Sequence, residues 1–142
     1  MSLRVKISGL LRFIGLLRAD LLTRVAARMP IDSEIGAGEL VVVESGGLRK
    51  WACMKCPGGC GTKISLSLNA DHRPRWRVVQ DWFGRPSIEP SVHQINACRC
   101  HFWVRGGRIE WCPDGKPHHP NSRPPNSSAF DFKKNRQVIV TY

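Results

Sequence analysis

Residues 98–112 read CRCHFWVRGGRIEWC, which is the pattern of a β-hairpin. The central Gly106-Gly107 pair suits a two-residue turn, where positive φ angles are needed. The strand register that follows has three cross-strand pairs: Val104 with Ile109, Phe102 with Trp111, and His101 with Cys112. Because the apolar pairs share one face, the hairpin is expected to bury that face.

Short strands and turns precede this hairpin. Runs of β-branched or alternating apolar residues predict strands over 40–44, 49–54, 64–68 and 76–79, whereas 88–97 is less regular. The chain contains 13 Gly and 10 Pro, which favours loops and short strands over long helices. We therefore predict a mainly β (α+β) fold, a small antiparallel β domain with an N-terminal helix.

The two ends of the chain differ from its centre. Residues 9–28 are rich in Leu, Ala and Arg, and Pro30 stops them, which predicts a helix. We expect this helix to pack on its own domain or on a second copy, with docking to a partner or to a membrane surface as the alternative. Pro-rich residues 113–142 predict an irregular tail with a possible strand at 137–142. The predicted divisions are 1–30, 31–112 and 113–142.

The net charge of +11 is placed mainly at the ends. Residues 31–112 carry eleven basic and eight acidic side chains, so the central segment is nearly balanced. A dedicated nucleic-acid binder usually concentrates charge on its folded face, so no nucleic-acid partner is expected. No apolar run approaches the about 20 residues that a membrane span needs. Arginines also interrupt the N-terminal apolar residues, so we expect a cytoplasmic protein.

The six cysteines form two clusters about 40 residues apart. In a cytoplasmic chain this arrangement favours a metal site over disulfides. Zinc takes four tetrahedral thiolate or imidazole ligands. One pair comes from the tight CPGGC turn at 56–60, and the other from the base of the hairpin. We therefore predict a structural Zn²⁺ held by Cys56, Cys60, Cys98 and Cys112.

Other ligand sets remain open. Cys53-x-x-Cys56 is also a good metal spacing, and Cys100 or His101 could replace Cys98. Otherwise Cys53 and Cys100 are buried or free thiols. A nucleophilic Cys100 beside His101 is disfavoured, because neighbouring side chains of a strand point to opposite faces.

Ser91 and His101 are a candidate nucleophile and base, since serine needs a base to become nucleophilic. A zinc ion at the hairpin base would hold the strand that carries His101. Glu110 is diagonal to His101 on the same face and could orient the imidazole, as an acid does in a triad. The chain has no Gly-x-Ser-x-Gly elbow, so a surface serine and a structural histidine are the alternative.

Six motifs occur in order within residues 36–112: CPGGCG (56–61), ISLSL (64–68), HRPRW (72–76), EPSV (89–92), Cys98-x-x-His101-Phe-Trp-Val, and GRIEWC (107–112). Together they resemble a small bacterial family, formerly a domain of unknown function. Its members are encoded beside ubiquitin-activating, ubiquitin-conjugating and ubiquitin-like proteins in bacterial ubiquitination-like operons. The N-terminal helix and the tail fall outside the resemblance.

The resemblance implies a serine protease that acts like a deubiquitinase on the C-terminus of the operon's ubiquitin-like protein. It implies Ser91 as nucleophile and His101 as general base, and the operon's activating and conjugating enzyme homologues as further partners. The family knuckle usually reads Cys-Pro-Cys-Gly-Cys. Gly58 at its middle position supports Cys56 and Cys60 as ligands. Cys100 stands where serine is common, so it is not expected to be required.

Three other functions compete with this one. A non-catalytic zinc-ribbon adaptor would hold the ubiquitin-like protein or its conjugating enzyme. A zinc hydrolase would need an open ligand position, which four cysteines close. A nucleic-acid binder would show steep salt dependence. The arginines of the strand region, Arg73, Arg75 and Arg77, are candidates for an acidic partner surface or a solvated strand face.

Overall fold

Two four-stranded sheets and one helix make up the fold in the computed structural model, which describes residues 3–95 and 99–115. Helix α1 spans Leu3–Phe13, and a short 3₁₀-helix spans Asp32–Glu34. The strands are β1 Leu22–Ala26, β2 Glu39–Ser45, β3 Leu48–Lys55, β4 Lys63–Ser67, β5 Arg77–Gln80, β6 Pro86–His93, β7 His101–Arg105 and β8 Arg108–Trp111. The mainly β class predicted from the sequence is confirmed.

The sheets follow chain order. The first sheet runs β1-β2-β3-β4, with β1 parallel to β2 and the other pairs antiparallel. The second runs β5-β6-β7-β8 and is antiparallel throughout. Each strand after β1 therefore pairs with its neighbour in sequence, as short Gly-containing connections favour.

The β7–β8 hairpin forms in the predicted register. Phe102 lies opposite Trp111, and Val104 opposite Ile109. The turn glycines Gly106 and Gly107 have φ angles of 55° and 78°, which side chains with a Cβ rarely adopt. Val104 and Phe102 are both fully buried, so the apolar face of the hairpin lies against the core.

One hydrophobic core lies between the sheets. Its largest fully buried members come from both, and they include Leu40, Met54, Ile64 and Leu66 from the first sheet and Ile88, Val92, Phe102 and Val104 from the second. A smaller cluster of Ile35, Val41, Val43 and Cys53 covers the other face of the first sheet. Alternating residues of β2 and β3 therefore serve two cores.

The helix predicted over residues 9–28 is wrong beyond residue 13. Helix α1 ends at Phe13, and Leu22–Ala26 form β1, parallel to β2. The backbone N–H groups of Asp20 and Leu21 donate to the carbonyl oxygen of Gly107 at 2.7 and 2.9 Å. These bonds hold the segment before β1 against the β7–β8 turn, where a helix could not make them. Among the described residues, no helix has the length and apolarity to cross a membrane.

Residues 113–115, the first residues of the predicted tail, form an ordered turn beside β7. The His101 N–H donates to the Gly115 carbonyl oxygen at 2.9 Å, and the Gly115 N–H donates to Cys112 at 3.1 Å. Residues 113–115 thus pack against β7 with the β domain. The rest of the predicted tail, with the strand at 137–142, lies outside the described residues.

Candidate active site and cysteine cluster

Ser91 lies in an irregular part of β6. Ile88 pairs with Val104 and Val92 with Phe102, so four steps along β6 match two along β7. Both Ile88 and Val92 still enter the core. Bulges of this kind re-aim side chains and recur beside active sites. Here the bulge directs the Ser91 hydroxyl toward β7.

Ser91, His101 and Asp114 form a continuous hydrogen-bonded chain. The Ser91 Oγ lies 2.8 Å from His101 Nε2, and His101 Nδ1 lies 2.9 Å from Asp114 Oδ1. A carboxylate only accepts, so Nδ1 carries the ring proton, and Nε2 is left to accept from the serine hydroxyl. This is the tautomer that a general base for serine requires.

Glu110, the acid expected from the sequence, does not contact His101. It lies opposite Trp103 on β8, diagonal to both His101 and Arg105. Its carboxylate binds the Arg105 guanidinium at 2.7 Å. The Glu110 carboxylate pairs with the Arg105 guanidinium because a charge-assisted hydrogen bond is strong. The imidazole instead contacts Asp114, which lies on the 112–115 turn.

The contact between His101 and Asp114 is the main cause of a lowered pKa at the Asp114 carboxyl. Asp114 is largely exposed, with 65% of its side chain accessible, whereas the His101 side chain is 17% accessible. The acid therefore stays ionised at the rim of the site while the imidazole is partly enclosed. Ser91 is 9% accessible, so the nucleophile candidate reaches the surface only through a small opening.

His93 covers one face of the His101 ring. The two rings are stacked, with centroids 4.6 Å apart and planes 13° from parallel. They belong to directly paired positions of β6 and β7. This stacking and the two hydrogen bonds together limit rotation of the His101 ring.

A recess of about 360 Å³ lies between β6 and β7, and its lining on β6 ends at Pro90, one residue before Ser91. Glu89 and Pro90 line one side, and Trp103 and Arg105 line the other. The Arg105 guanidinium lies over the Trp103 ring, 4.6 Å from its centroid, and Glu110 holds it there. The size falls in the range of ligand clefts, so the recess has room for a short segment of chain that leads toward the position of Ser91.

Three cysteine sulfurs converge on the Gln94 side chain, two from the β3–β4 connection and one from the β6–β7 connection. The Sγ atoms of Cys56, Cys60 and Cys100 lie 3.0, 3.5 and 3.6 Å from the Gln94 Oε1 atom. The sulfurs of Cys56 and Cys100 are 3.3 Å apart. Sulfurs bound to one tetrahedral zinc at about 2.3 Å are roughly 3.8 Å apart, so these two would part by about half an ångström on binding. The donor set and its spacing fit a thiophilic metal.

The other expected ligands lie elsewhere or are not described. Cys112 has its sulfur within 4.8 Å of the ligand atoms of His101 and Asp114, away from this cluster's strand face. Cys112 and His101 are cross-strand partners, so they share the outer face, whereas Cys100 precedes His101 and points inward.

Cys98 lies outside the described residues. Cys53 contacts Met29 and Ser65 in the smaller core, where burial raises the pKa of its thiol.

Asp114 and Gln94 are the site residues that the sequence reasoning missed. Asp114 stands two residues after Cys112, the predicted partner of His101, so the hairpin register itself placed an acid near the imidazole. The change to a Pro-rich composition concealed that signal. Gln94 has no comparable sequence signal, since its position depends on how the β6–β7 connection closes.

Comparison with known proteins identifies a family. A family model described as the bacterial ubiquitination-like system serine protease (BubE) matches residues 26–112. No curated protein and no solved structure matches the chain. The matched segment contains β2 to β8, with Ser91 and His101, and ends just before Asp114.

Proposed function

The chain belongs to the BubE family of serine proteases of bacterial ubiquitination-like systems, and we propose that it processes or deconjugates the C-terminus of the system's ubiquitin-like protein. The observation that carries this proposal is the chain of contacts Ser91–His101–Asp114, with both hydrogen bonds under 3 Å. Ser91 is the nucleophile, His101 the general base, and Asp114 replaces Glu110 as the orienting acid.

The reaction uses this geometry in two stages. The Ser91 oxygen attacks the carbonyl carbon at the end of the ubiquitin-like tail while His101 Nε2 takes the hydroxyl proton. His101 then gives this proton to the leaving group, and an acyl-enzyme remains. Water attacks the acyl carbon with His101 again accepting a proton, and Ser91 is regenerated. The Asp114 carboxylate stabilises the imidazolium in both stages.

The recess between β6 and β7, whose lining ends at Pro90 next to Ser91 in the chain, suits the substrate that the family suggests. A C-terminal tail is extended and narrow, and such segments bind along strand edges and grooves. Trp103 offers an apolar wall, and Arg105 and Glu89 offer hydrogen-bonding groups at the rim. Arg73, Arg75 and Arg77 are exposed and remain our candidates for contacts with an acidic surface of the partner or its conjugating enzyme.

The metal in this proposal is structural. Cys56, Cys60 and Cys100 would hold a Zn²⁺, with Cys98 as the fourth ligand predicted from the sequence. A zinc ion with four thiolates has no open position, so it supplies a cross-link between chain segments and leaves the acid–base chemistry to the protein. Cys100 takes the place first assigned to Cys112, which departs from the expectation that Cys100 is not required, because its sulfur lies 3.3 Å from that of Cys56.

The test is cleavage of the operon's ubiquitin-like protein carrying a C-terminal extension, followed by mass. We expect cleavage by the wild type and none by Ser91→Ala or His101→Ala at equal metal content. Ser45→Ala, which alters an exposed serine at the end of β2, serves as the matched control and should cleave normally. A stable complex without cleavage by any form would support the adaptor function instead.

A further inference from the structure

The outer face of the site holds three metal-binding groups that the proposed structural metal does not use. The ligand atoms of His101, Cys112 and Asp114 all lie within 4.8 Å of one another. His101 presents Nδ1 on this side, because that atom contacts Asp114 Oδ1 at 2.9 Å. An imidazole nitrogen, a thiol and a carboxylate together form a ligand set typical of Zn²⁺.

We propose that this group is a second, inhibitory site for a thiophilic divalent cation such as Zn²⁺. The inference rests on the proposed protease function, since it concerns regulation of the same site. Cys112 is the residue that makes the group a metal site, because a serine–histidine–acid arrangement needs no thiol. Asp114 is largely exposed and Cys112 half-buried, so an ion reaches them directly from solvent.

Spacing and exposure leave room for the ion. Zinc–ligand distances of about 2.0–2.3 Å place ligand atoms roughly 3.3–3.8 Å apart in a tetrahedron. The His101 Nδ1 and Asp114 Oδ1 atoms, at 2.9 Å, need to part by only a few tenths of an ångström. The exposed carboxylate is on a turn and can make that movement. Water completes the coordination on the solvent side.

Binding at this site removes the base. In the active tautomer the ring proton is on Nδ1 and the Nε2 lone pair faces Ser91. A cation at Nδ1 binds through the nitrogen lone pair, so the single ring proton moves by exchange with solvent from Nδ1 to Nε2 and the ring stays neutral. The Cys112 thiol loses its proton to solvent as it binds the ion. Nε2 is now a donor and can no longer accept the proton of Ser91.

The experiment measures inhibition and binding separately on metal-replete protein. Zn²⁺ added from a buffered solution should inhibit cleavage by the wild type. Cys112→Ser should retain cleavage without added zinc and need at least about tenfold more zinc for half-inhibition, since it loses a ligand. Cys53→Ala removes a thiol from the smaller core and should keep wild-type sensitivity. Equal sensitivity of Cys112→Ser and wild type would overturn the proposal.

Binding is read from the absorption of a cadmium–thiolate bond in the Ser91→Ala protein. We expect one further Cd²⁺ to bind beyond the structural metal, with the signal lost in Ser91→Ala/Cys112→Ser and weakened in Ser91→Ala/Asp114→Asn. Cadmium binding can be measured even if no substrate is cleaved. A failure of the proposed protease function is therefore distinguishable from a failure of the second metal site. Absence of the signal, or binding to wild type without inhibition of a cleaving enzyme, refutes the inhibitory site.

Discussion

Two carboxylates lie close to His101, those of Asp114 and Glu110. Of these two, only Asp114 contacts the imidazole ring. Asp114 accepts from Nδ1 at 2.9 Å, while Glu110 is committed to Arg105 at 2.7 Å. An acid on a turn adjusts its position more freely than one fixed in a strand. The orienting acid that we propose, Asp114, is thus supplied by the turn at residues 112–115 rather than by the strands of the hairpin.

Replacing Asp114 tests this assignment. Asp114→Asn should lower kcat by about 10²–10⁴-fold, because an amide no longer fixes the tautomer or stabilises the imidazolium. Glu110→Gln is the matched comparison and should keep kcat within about threefold, with any change appearing in KM through Arg105. Steady-state kinetics on the extended ubiquitin-like protein measure both. A larger loss of kcat in Glu110→Gln than in Asp114→Asn would reverse the assignment.

The pH response of Asp114 follows from the same contact. Its carboxyl pKa is lowered in the folded protein, chiefly by the His101 hydrogen bond. A lowered folded pKa means that this contact stabilises the fold above the ordinary aspartate pKa and is lost as pH falls through the lowered value. Carboxyl carbon-13 NMR should show Asp114 titrating below about 3.9, the usual aspartate value.

The matched variant for this titration is His101→Ala. Without the imidazole the Asp114 pKa should return toward the ordinary value, because its largest cause is removed. An unchanged titration in His101→Ala would show that other groups hold the carboxylate ionised.

At the scale of elements, the turn at residues 112–115 determines the site as much as the strands do. A Cβ on Gly115 would collide with the backbone nitrogen and Cβ of His101. The Gly115 carbonyl also accepts from the His101 N–H. Only glycine permits this close approach, which draws Asp114 against the imidazole.

Gly115→Ala should therefore damage the site specifically. We expect a loss of kcat of at least about tenfold, since displacement of the turn separates Asp114 from His101. Gly9→Ala is the matched control, because nothing lies within 4 Å of a Cβ there, and in helix α1 alanine should stabilise by up to about 1 kcal/mol. Kinetics and thermal melts of the two variants measure these effects. Normal kcat in Gly115→Ala would mean that the turn has room to adjust.

The elements that sequence predicted well are those with local rules. The Gly106-Gly107 pair indicates the β7–β8 register from local sequence alone, because a two-residue turn with positive φ angles determines which residues face each other. In contrast, Leu22–Ala26 become a strand through parallel pairing with β2 and contacts to the β7–β8 turn, both long-range. Local composition favoured a helix there, and tertiary pairing prevailed over it.

The candidate site divides in the same way. Ser91 and His101 were expected as a pair, and they lie in hydrogen-bond contact, although their roles remain a prediction. The sulfur cluster depended on strand alternation, which separates Cys100 from His101 and Cys112 from Cys100. The hairpin base indicated which cysteines lie near one another in the chain's fold. It did not indicate which face of the sheet each cysteine occupies.

At the scale of the whole molecule, the cysteine cluster joins a connection of the first sheet to a connection of the second. Cys56 and Cys60 belong to the β3–β4 connection of the first sheet, and Cys100 to the β6–β7 connection of the second. That second connection joins the strand of Ser91 to the strand of His101. The Gln94 N–H donates to the Cys100 carbonyl at 2.8 Å across its base. A metal bound there would fix the separation of nucleophile and base.

Metal removal should therefore abolish activity by unfolding the site, because the structural metal takes no part in the proposed reaction itself. Structural zinc contributes several kcal/mol to small domains, so a chelator should lower Tm by at least about 10 °C and abolish cleavage, with both restored by Zn²⁺. Cys100→Ser should reproduce the loss, whereas Cys53→Ser should keep full metal content. Differential scanning calorimetry with metal analysis measures this. If metal-free protein kept its Tm and its cleavage, the two sheets would be held by the apolar core alone, and the sulfur cluster would be three packed thiols.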